Sequence, residues 1–570
     1  MEEYWQPLET ERNEVEEKIG VYICECGPNI AENVNIDEVT EVVSSLPSVE
    51  VVERHKLLCS EDGKKFLKNS IQEHGLTRLV IAACSPKQHE STFMKVCEEA
   101  GLNPHLFQLV NIREQCAWII EDKEKATERA TRYVRAALRR IPYHRPLEKR
   151  EIDCNPDVLV IGGGITGIET SLLLAGPDRK VFLVEKTSSL GGKLREFEKL
   201  SPNMESTERL LEQKIKDIEK NDNIKVYTDS EVKEVLGFLG NFIAVVKSRE
   251  DDEEIEIKVG SVAVATGFDL YDPMKDSRYG YGKFDDVYTA MEFEKMNLDG
   301  KILLKNGQSP KSVAIIHCVG REERGYCSGV CCAYSLKLAR YLKAKLPNVK
   351  VSNLYSELSV PGKVYQKFYE DTKCMGVDFI RAGGIEVEEK TIKYTTDDGK
   401  GKNLPVDMVI LAAAIQPTGD ASKLAEMLKI SLDKKGFFTE EHEKLGPVST
   451  SMEGIFIAGC AQGPKNVVDS IVQAGAVAGK ILSSVIPGKK LEPEVRTSEI
   501  SEAFCVGCQT CLEVCAYGAI YFDEMKRVSV VNEILCRGCG NCAASCPSGA
   551  ASLKHFTTTQ IHQEVVEALR

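Results

Sequence analysis

The chain has 570 residues, 42% of them hydrophobic and 28% charged, with a net charge of −14. That length holds several cores at ~150 residues per domain, and the acidic balance argues against non-specific nucleic-acid binding. No run approaches the ~18–20 apolar residues of a membrane span, and the acidic start MEEYWQPLETERNEVEEKIG lacks the basic and apolar parts of a secretory signal, so a cytoplasmic protein is expected.

Twenty-one cysteines therefore point to metal or redox chemistry, because a reducing compartment does not favour disulfide scaffolds. In chain order, VYIC and RLVIAAC read as strands that each end in a cysteine, Cys24 and Cys84. In SPKQHESTFMKVCEEAG, Ser85 and Gln88 predict a capping box, Pro86 the first helical position and Gly101 the helix end. Cys24, Cys26 and Cys84 would then lie at the carboxyl edge of an open sheet, where sites are built, and Cys59 in LLCSEDG is a further candidate. Two readings stay open for them: a redox or cluster-shielding site, or reduced, semi-buried thiols in a small docking domain. Cys97 and Cys116 read as core. A basic helix, ERATRYVRAALRR, then runs into a proline-containing linker near 145–155.

Residues 157–169, DVLVIGGGITGIE, carry Gly162, Gly164 and Gly167 in G-x-G-x-x-G spacing after an apolar strand and before a helix. The next strand, KVFLVEK, ends at Glu185, 18 residues after Gly167. Strand, glycine turn, helix, strand and acid form the context a dinucleotide fingerprint needs. The glycines let a pyrophosphate approach the helix N-terminus, and Glu185 would take a ribose hydroxyl. SSLGGKL follows, with Gly191, Gly192 and Lys193. VGSVAVATGF is a buried strand ending at Thr266 and Gly267.

SVAIIHCVG is the next buried strand and AYSLKLARYLKA the helix after it. Between them stand Cys318, Cys327, Cys331 and Cys332, and Gly320, Gly325 and Gly329 do not form a nucleotide fingerprint. A redox disulfide normally uses C-x2-C, which C-x3-C-C does not match. Buried structural thiols are the plainer alternative. An iron–sulfur cluster fits the count and softness of the ligands. Further on, EGIFIAGCAQGPKNVVDSIVQAGAVAGKIL is a strand into Gly459 and Cys460, then a long small-residue helix. IPGKKLEPEVRTSE reads as a second linker.

The last region holds two runs in C-x2-C-x2-C-x3-C spacing: Cys505, Cys508, Cys511, Cys515, and Cys536, Cys539, Cys542, Cys546. This is the two-cluster ferredoxin pattern, in which the fourth cysteine of each run crosses to the other cluster. One [4Fe–4S] cluster is thus assigned to Cys505, Cys508, Cys511 and Cys546, the other to Cys536, Cys539, Cys542 and Cys515. Ala516 stands where proline is usual. A pair of zinc ribbons needs only four cysteines in two pairs, whereas each run here has four by itself.

The glycine fingerprint, VAVATGF and the late strand–helix together resemble the FAD-binding half of thioredoxin-reductase-like, two-dinucleotide-domain flavoproteins. In that family the last strand usually ends in Gly-Asp, and Cys460 replaces the Asp. A second, NAD(P)H-binding Rossmann unit lies between the FAD segments, and the four-thiol stretch stands where its fingerprint belongs. The resemblance becomes more specific with C…YCSGVCCAYSLK, the ferredoxin tail and the N-terminal stretches GVYICECGPNI, LCSEDG, VIAACSPKQHESTF and AGLNPHLFQLVNIREQCAW. These resemble the A-type, iron–sulfur flavoprotein subunit of heterodisulfide reductase over almost the whole chain. The resemblance implies a [4Fe–4S] cluster on Cys318, Cys327, Cys331 and Cys332, and Lys337 near the flavin N5. The alternative for Lys337 is a solvated helix lysine. It also implies an oxidoreductase using FAD and three [4Fe–4S] clusters, with electron bifurcation or confurcation.

The implied partners are the B-type and C-type subunits of heterodisulfide reductase, which would hold the disulfide-cleaving site, a hydrogenase or formate dehydrogenase-like input module, and ferredoxin. A homodimer within a larger complex is expected, with no nucleic acid and no membrane span. Some relatives carry extra clusters inside the FAD segment, but residues 200–305 here contain no cysteine. This keeps alive a non-bifurcating wiring subunit; an NAD(P)H:ferredoxin-type reductase is the third alternative.

The expected fold is multidomain α/β: a Rossmann-type two-dinucleotide-binding flavoprotein with an N-terminal small α/β domain and a C-terminal 2[4Fe–4S] ferredoxin-like α+β domain. The expected boundaries are 1–150 N-terminal, 151–308 FAD segment 1, 309–412 degenerate NAD(P)H-like domain, 413–490 FAD segment 2 and 491–570 ferredoxin-like.

Overall fold

A computed structural model describes residues 17–46 and 49–570. The acidic opening segment, 1–16, from which the lack of a secretory signal is read, lies outside the described residues. The chain forms two compact units. One joins the chain up to Glu151 with Glu492–Arg570; the other is Ile152–Leu491.

In the second unit, the four-residue apolar runs Val158–Ile161 and Ser261–Val264 are buried along their whole length, as is Ile455–Ile457. Such runs suit the middle of a parallel sheet covered on both faces. They build a five-stranded parallel sheet in the order Ile455–Ile457, Ser261–Val264, Val158–Ile161, Val181–Val184, Ile224–Tyr227. Asn241–Ser248, which alternates in burial, forms an antiparallel meander beside it with Ser230–Phe238 and Glu254–Val259. Ile152 pairs with Leu491, so the unit closes where the chain enters and leaves it.

A second five-stranded parallel sheet has the order Val287–Thr289, Met408–Ala413, Ser312–Val319, Lys350–Tyr355, Val377–Arg381. It therefore takes in residues before 309, the expected start of this domain. Val287–Thr289 is a three-residue strand, too short for its alternation to be read without its neighbour.

The first unit carries a four-stranded parallel sheet in the order Val49–His55, Ile19–Cys24, Arg78–Ala83, Phe107–Asn111. Cys97 and Cys116 are in its core. The Pro86–Ala100 helix starts at Ser85 and ends at a left-handed Gly101. The capping box does not close: Ser85 Oγ accepts from the Lys87 N–H at 3.4 Å instead of from Gln88. The tail adds two antiparallel strand pairs, Ser498–Ile500 with Ala551–Leu553 and Ile520–Asp523 with Val528–Val531. Its last helix, Thr558–Ala568, packs on Lys123–Arg140. There Arg135 and Arg139 both pair with the buried Glu567 at 2.7 Å.

Candidate functional site

In an open parallel sheet, ligands bind beyond the carboxyl ends of the strands where the strand order reverses. In the first sheet of the second unit that point is the end of Val158–Ile161, followed by Gly162. Gly162 has φ +108°, and a Cβ there would run into the Ala265 carbonyl. A Cβ at Gly167 would strike the Gly162 carbonyl, whereas one at Gly164 meets nothing within 4 Å. The open space at Gly164 lies at the start of the Ile165–Leu174 helix, which has no side-chain cap, so its first-turn N–H groups are left for an anion. The Glu185 carboxylate accepts from the Gly163 N–H at 2.6 Å, and from the Thr187 N–H and hydroxyl at 2.8 and 2.7 Å.

The Gly191–Gly192 turn closes over the fingerprint, with the Gly191 N–H donating to the Gly163 carbonyl at 2.8 Å. Lys193 is partly exposed, 4.0 Å from Glu196. Thr266 Oγ1 is buried with no partner and Gly267 follows it. The Gly459 N–H donates to Gln473 Oε1 at 2.7 Å, and the buried Cys460 thiol donates to the Lys465 carbonyl at 3.3 Å. An open glycine cradle at an uncapped helix start, beside an orphaned threonine hydroxyl, fits a dinucleotide.

The second sheet reverses at the end of Ser312–Val319, and Cys318 lies there with φ +61°, a left-handed conformation rare outside glycine. Cys331 and Cys332 are the first two residues of the Cys331–Lys345 helix, whose dipole favours thiolates at that end. The Cys327 and Cys332 sulfurs accept from the Gly329 and Ser359 N–H groups at 3.3 Å each. Burial pushes the Cys331 thiol up to about 12 and Cys332 up to about 11, and in both cases Cys318 and Cys327 add to the rise. Arg321, paired with Glu357, also bonds to Cys318. Two buried thiols, Cys331 and Cys332, whose ionisation the neighbouring sulfurs oppose, suit a cationic, soft-metal centre.

In the tail, Cys505, Cys508, Cys511 and Cys546 line one cavity together with Ile500, Pro547 and Ala551. The crossing cysteine of the second run thus faces the first three of the first run. On the other side, burial raises the Cys542 thiol, with Cys536 and Cys515 adding to the rise, which places Cys515 among the second run's sulfurs. The Cys536 and Cys515 sulfurs accept from the Ser498 and Ala519 N–H groups at 3.3 Å. Among the described residues no three His, Cys, Asp or Glu side chains close on a single metal ion; the Cys505 group rings a cavity instead.

Lys337 is not solvated. It is 1% exposed and ion-paired to Glu294, itself 0% exposed. Its Nζ donates to the Lys199 carbonyl at 3.0 Å and lies 4.5 Å over the Phe197 ring and 4.6 Å over the Tyr334 ring. Burial pulls Lys337 down from the usual lysine range and pushes Glu294 up, while their pairing opposes both shifts. Phe197 and Lys199 follow the glycine turn of the flavin segment. Lys337 stands five residues after Cys332 on one helix, ~7–8 Å along its axis.

The pyridine nucleotide-disulphide oxidoreductase family profile matches residues 156–475, and a 4Fe-4S dicluster domain matches residues 504–550. The A-type subunit of the H(2):CoB-CoM heterodisulfide,ferredoxin reductase of Methanothermobacter thermautotrophicus is 36% identical, over 89% of this chain and 91% of its own. The second A-type iron-sulfur subunit of the CoB--CoM heterodisulfide reductase of Methanopyrus kandleri is 36% identical, over 98% of this chain and 99% of its own. This chain belongs to the family of heterodisulfide reductase A-type subunits. Among solved structures, thioredoxin reductase of Lactococcus lactis is 16% identical, covering 58% of this chain and 99% of its own at a TM-score of 0.42.

As a member of that heterodisulfide reductase family, the chain is an oxidoreductase, an FAD flavoprotein with a 4Fe–4S dicluster domain. Among the described residues no helix is long and apolar enough to cross a membrane.

The family resemblance did not bring out three groups of residues that the structure assembles. Glu294, Tyr334, Tyr341 and Phe197 enclose Lys337, and the one hint in the sequence is a glutamate on the apolar face of MEFEKM. Arg321 stands beside the Cys318 group. Arg113 lies 3.7 Å from Cys26. The N-terminal thiols do converge: burial pushes Cys24 up to about 11, with Cys26 and Cys59 among its neighbours, and Cys59 also lies beside Cys84. Cys24 ends its strand and Cys84 directly follows the Arg78–Ala83 strand, where that sheet's order reverses.

Proposed function

We propose that this chain is the electron-distributing core of a heterodisulfide-reductase complex, performing flavin-based bifurcation or confurcation between a two-electron donor, a disulfide-reducing partner and ferredoxin. The observation that carries the reading is Lys337. One buried cation is fixed between the flavin segment, through Phe197 and Lys199, and the helix that opens with Cys331 and Cys332.

Bound FAD would supply the exchange between electron pairs and single electrons. Gly162, Gly164, Gly167, Glu185, Gly192, Thr266, Gly267 and Gly459 would hold it, with Lys193 and Cys460 at its margin. The chain's own part is electrostatic. Lys337 holds positive charge and a donor N–H in a dry aromatic box, and Glu294 fixes its direction. Cys318, Cys327, Cys331 and Cys332 would hold one [4Fe–4S] cluster, and the two crossed sets of tail cysteines two more. Cys24, Cys26, Cys59 and Cys84 form a further redox site in this reading.

The disulfide-reducing site would lie in partners of the B and C types, with a hydrogenase or formate dehydrogenase-like module supplying electrons in the cytoplasm. Relatives named as H(2):CoB-CoM heterodisulfide,ferredoxin reductase and as ferredoxin:CoB-CoM heterodisulfide reductase support ferredoxin as a partner. The absence of cysteine from 200–305 favours a second reading, a single-path wiring protein.

Two measurements on the anaerobically purified chain decide between them. About twelve iron and one FAD per chain are expected, at four iron per cluster; eight iron would remove the third cluster, and sixteen would give the N-terminal thiols one of their own. In a redox titration of the flavin, bifurcation requires the second electron to enter more easily than the first. Two well-separated steps in the ordinary order would leave the single-path reading. Cys546→Ser should damage the same cluster as Cys505→Ser and spare the other; separate lesions would refute the crossed assignment.

A further inference from the structure

Between Cys318 and Cys327 the chain makes a single helical turn, Arg321–Arg324, flanked by left-handed Gly320 and Gly325. At Gly320 a Cβ would lie 2.4 Å from the Tyr271 ring. One turn cannot hold itself, because it fixes several dihedrals for one hydrogen bond. All four of its side chains are charged, and each is held from elsewhere in the chain. Glu322 pairs with Arg278 at 2.9 Å, Glu323 accepts from the Tyr271 hydroxyl at 2.6 Å, and Arg324 donates to Gln416. Lys435 donates to the Arg324 carbonyl at 2.7 Å. Singly, such exposed contacts contribute little; together they fix where the turn lies.

Arg321 differs from the other three in facing the thiols. It pairs with Glu357 at 2.5 Å, bonds to the Cys318 sulfur and has Cys327 beside it. Glu357 lies in the loop after the Lys350–Tyr355 strand, and that loop holds Cys332. The Glu357 carbonyl accepts from the Cys332 thiol at 3.8 Å, and the Ser359 N–H donates to the same sulfur at 3.3 Å. A planar guanidinium with five donors can turn one edge to a carboxylate and another to a sulfur. We propose that Arg321 is a positioning residue that sets the reduction potential of the centre on Cys318, Cys327, Cys331 and Cys332, acting through the Cys318 sulfur and aimed at it by Glu357. Taking up one electron adds one negative charge to the centre and its thiolates. A cation that donates to a ligand sulfur stabilises that reduced form, so it raises the potential. Arg321 would thus keep the centre beside the flavin segment able to accept single electrons.

The inference rests on the reading that these thiols hold a cluster, and the test separates the two. The full-length chain is purified anaerobically and titrated against solution potential by electron paramagnetic resonance, and the centre is the signal that Cys331→Ala alters. Arg321→Met should keep the wild-type iron content while this signal becomes ~10-fold harder to reduce, or ~59 mV for one electron. Arg321→Lys keeps the charge without the planar fork and should fall between. Glu322→Gln breaks the neighbouring brace to Arg278 and removes a negative charge, so it should not lower the potential. An unshifted potential in R321M, loss of iron in R321M, a potential in R321K as low as in R321M, or a lowered potential in E322Q would each overturn the role of Arg321 and leave the cluster reading in place. If C331A changes neither the iron content nor any signal, the cluster reading fails and the inference with it.

Discussion

Lowering the pH should loosen the tail from the N-terminal domain, because three neutral histidines are packed between them. The His144 and His555 rings stack at 4.5 Å, and His105 meets His555 edge-on at 6.1 Å. His555 Nε2 is 2.7 Å from the Arg145 carbonyl, to which it donates. Burial, reinforced by Arg140, Arg496 and Arg78 nearby, lowers all three; Glu494 is the acid beside His105. His555 falls from 6.5 to about 4.

The open state therefore binds more protons between pH 6.5 and 4. The contact is fully stable above that window and weakens as pH falls through it. From pH 7 to 5, His555 alone costs ~2 kcal/mol, with His144 and His105 acting in the same direction. That is a ~30-fold rise in the open population. Hydrogen exchange of the Thr558–Ala568 amides, corrected for the intrinsic rate at each pH, reads it directly. His555→Gln keeps a donor for the Arg145 carbonyl and should flatten the dependence. Protection that does not change from pH 7 to 5, or an unaltered slope in H555Q, would refute the reasoning.

Glu294→Gln leaves Lys337 buried without its counter-charge, at a cost of ~3–5 kcal/mol. The double variant E294Q/K337M should recover most of that in urea unfolding, and a failure to recover would mean that Glu294 acts otherwise. Gly164→Ala should fold yet hold less FAD, because its methyl enters open cradle space, whereas Gly167→Ala should lose stability before flavin content, because its methyl strikes the Gly162 carbonyl. The two are told apart by melting temperature against the ratio of flavin to protein absorbance, and equal losses in both would contradict the cradle geometry.

Features that depend on local spacing were legible in the sequence: the apolar runs, the glycine fingerprint after Val158–Ile161 and the two ferredoxin runs. Features made by distant segments were not. Glu294 and Lys337 are 43 residues apart, and the one local hint, a glutamate on the apolar face of MEFEKM, does not name its partner. The N-terminal thiols could be placed at strand ends, but their convergence depends on Ile19–Cys24 lying between Val49–His55 and Arg78–Ala83. The second sheet began earlier than expected because Val287–Thr289 is a strand only by virtue of its partner, Met408–Ala413. At Ser85 the local rule itself fell short, since its hydroxyl turned to Lys87 instead of closing a box with Gln88.

The three parallel sheets share one architectural device. In each, the strand order reverses beside a strand that ends at chemistry-bearing residues: Ile19–Cys24, Val158–Ile161 and Ser312–Val319. The crevice outside that point is provided by the topology, whatever fills it. At Val158–Ile161 it is lined by glycines, which suit a dinucleotide because backbone N–H groups must reach its phosphates. At the other two it is lined by thiols, which suit soft metal or redox chemistry because the sulfur is itself the ligand. Four cysteines at this point leave the sheet, the helix behind it and the crevice in place; in the proposed reading they would exchange single electrons where a bound nucleotide would exchange hydride. Lys337, on the helix that begins with two of those cysteines and against the flavin segment, stands where the two kinds of site meet.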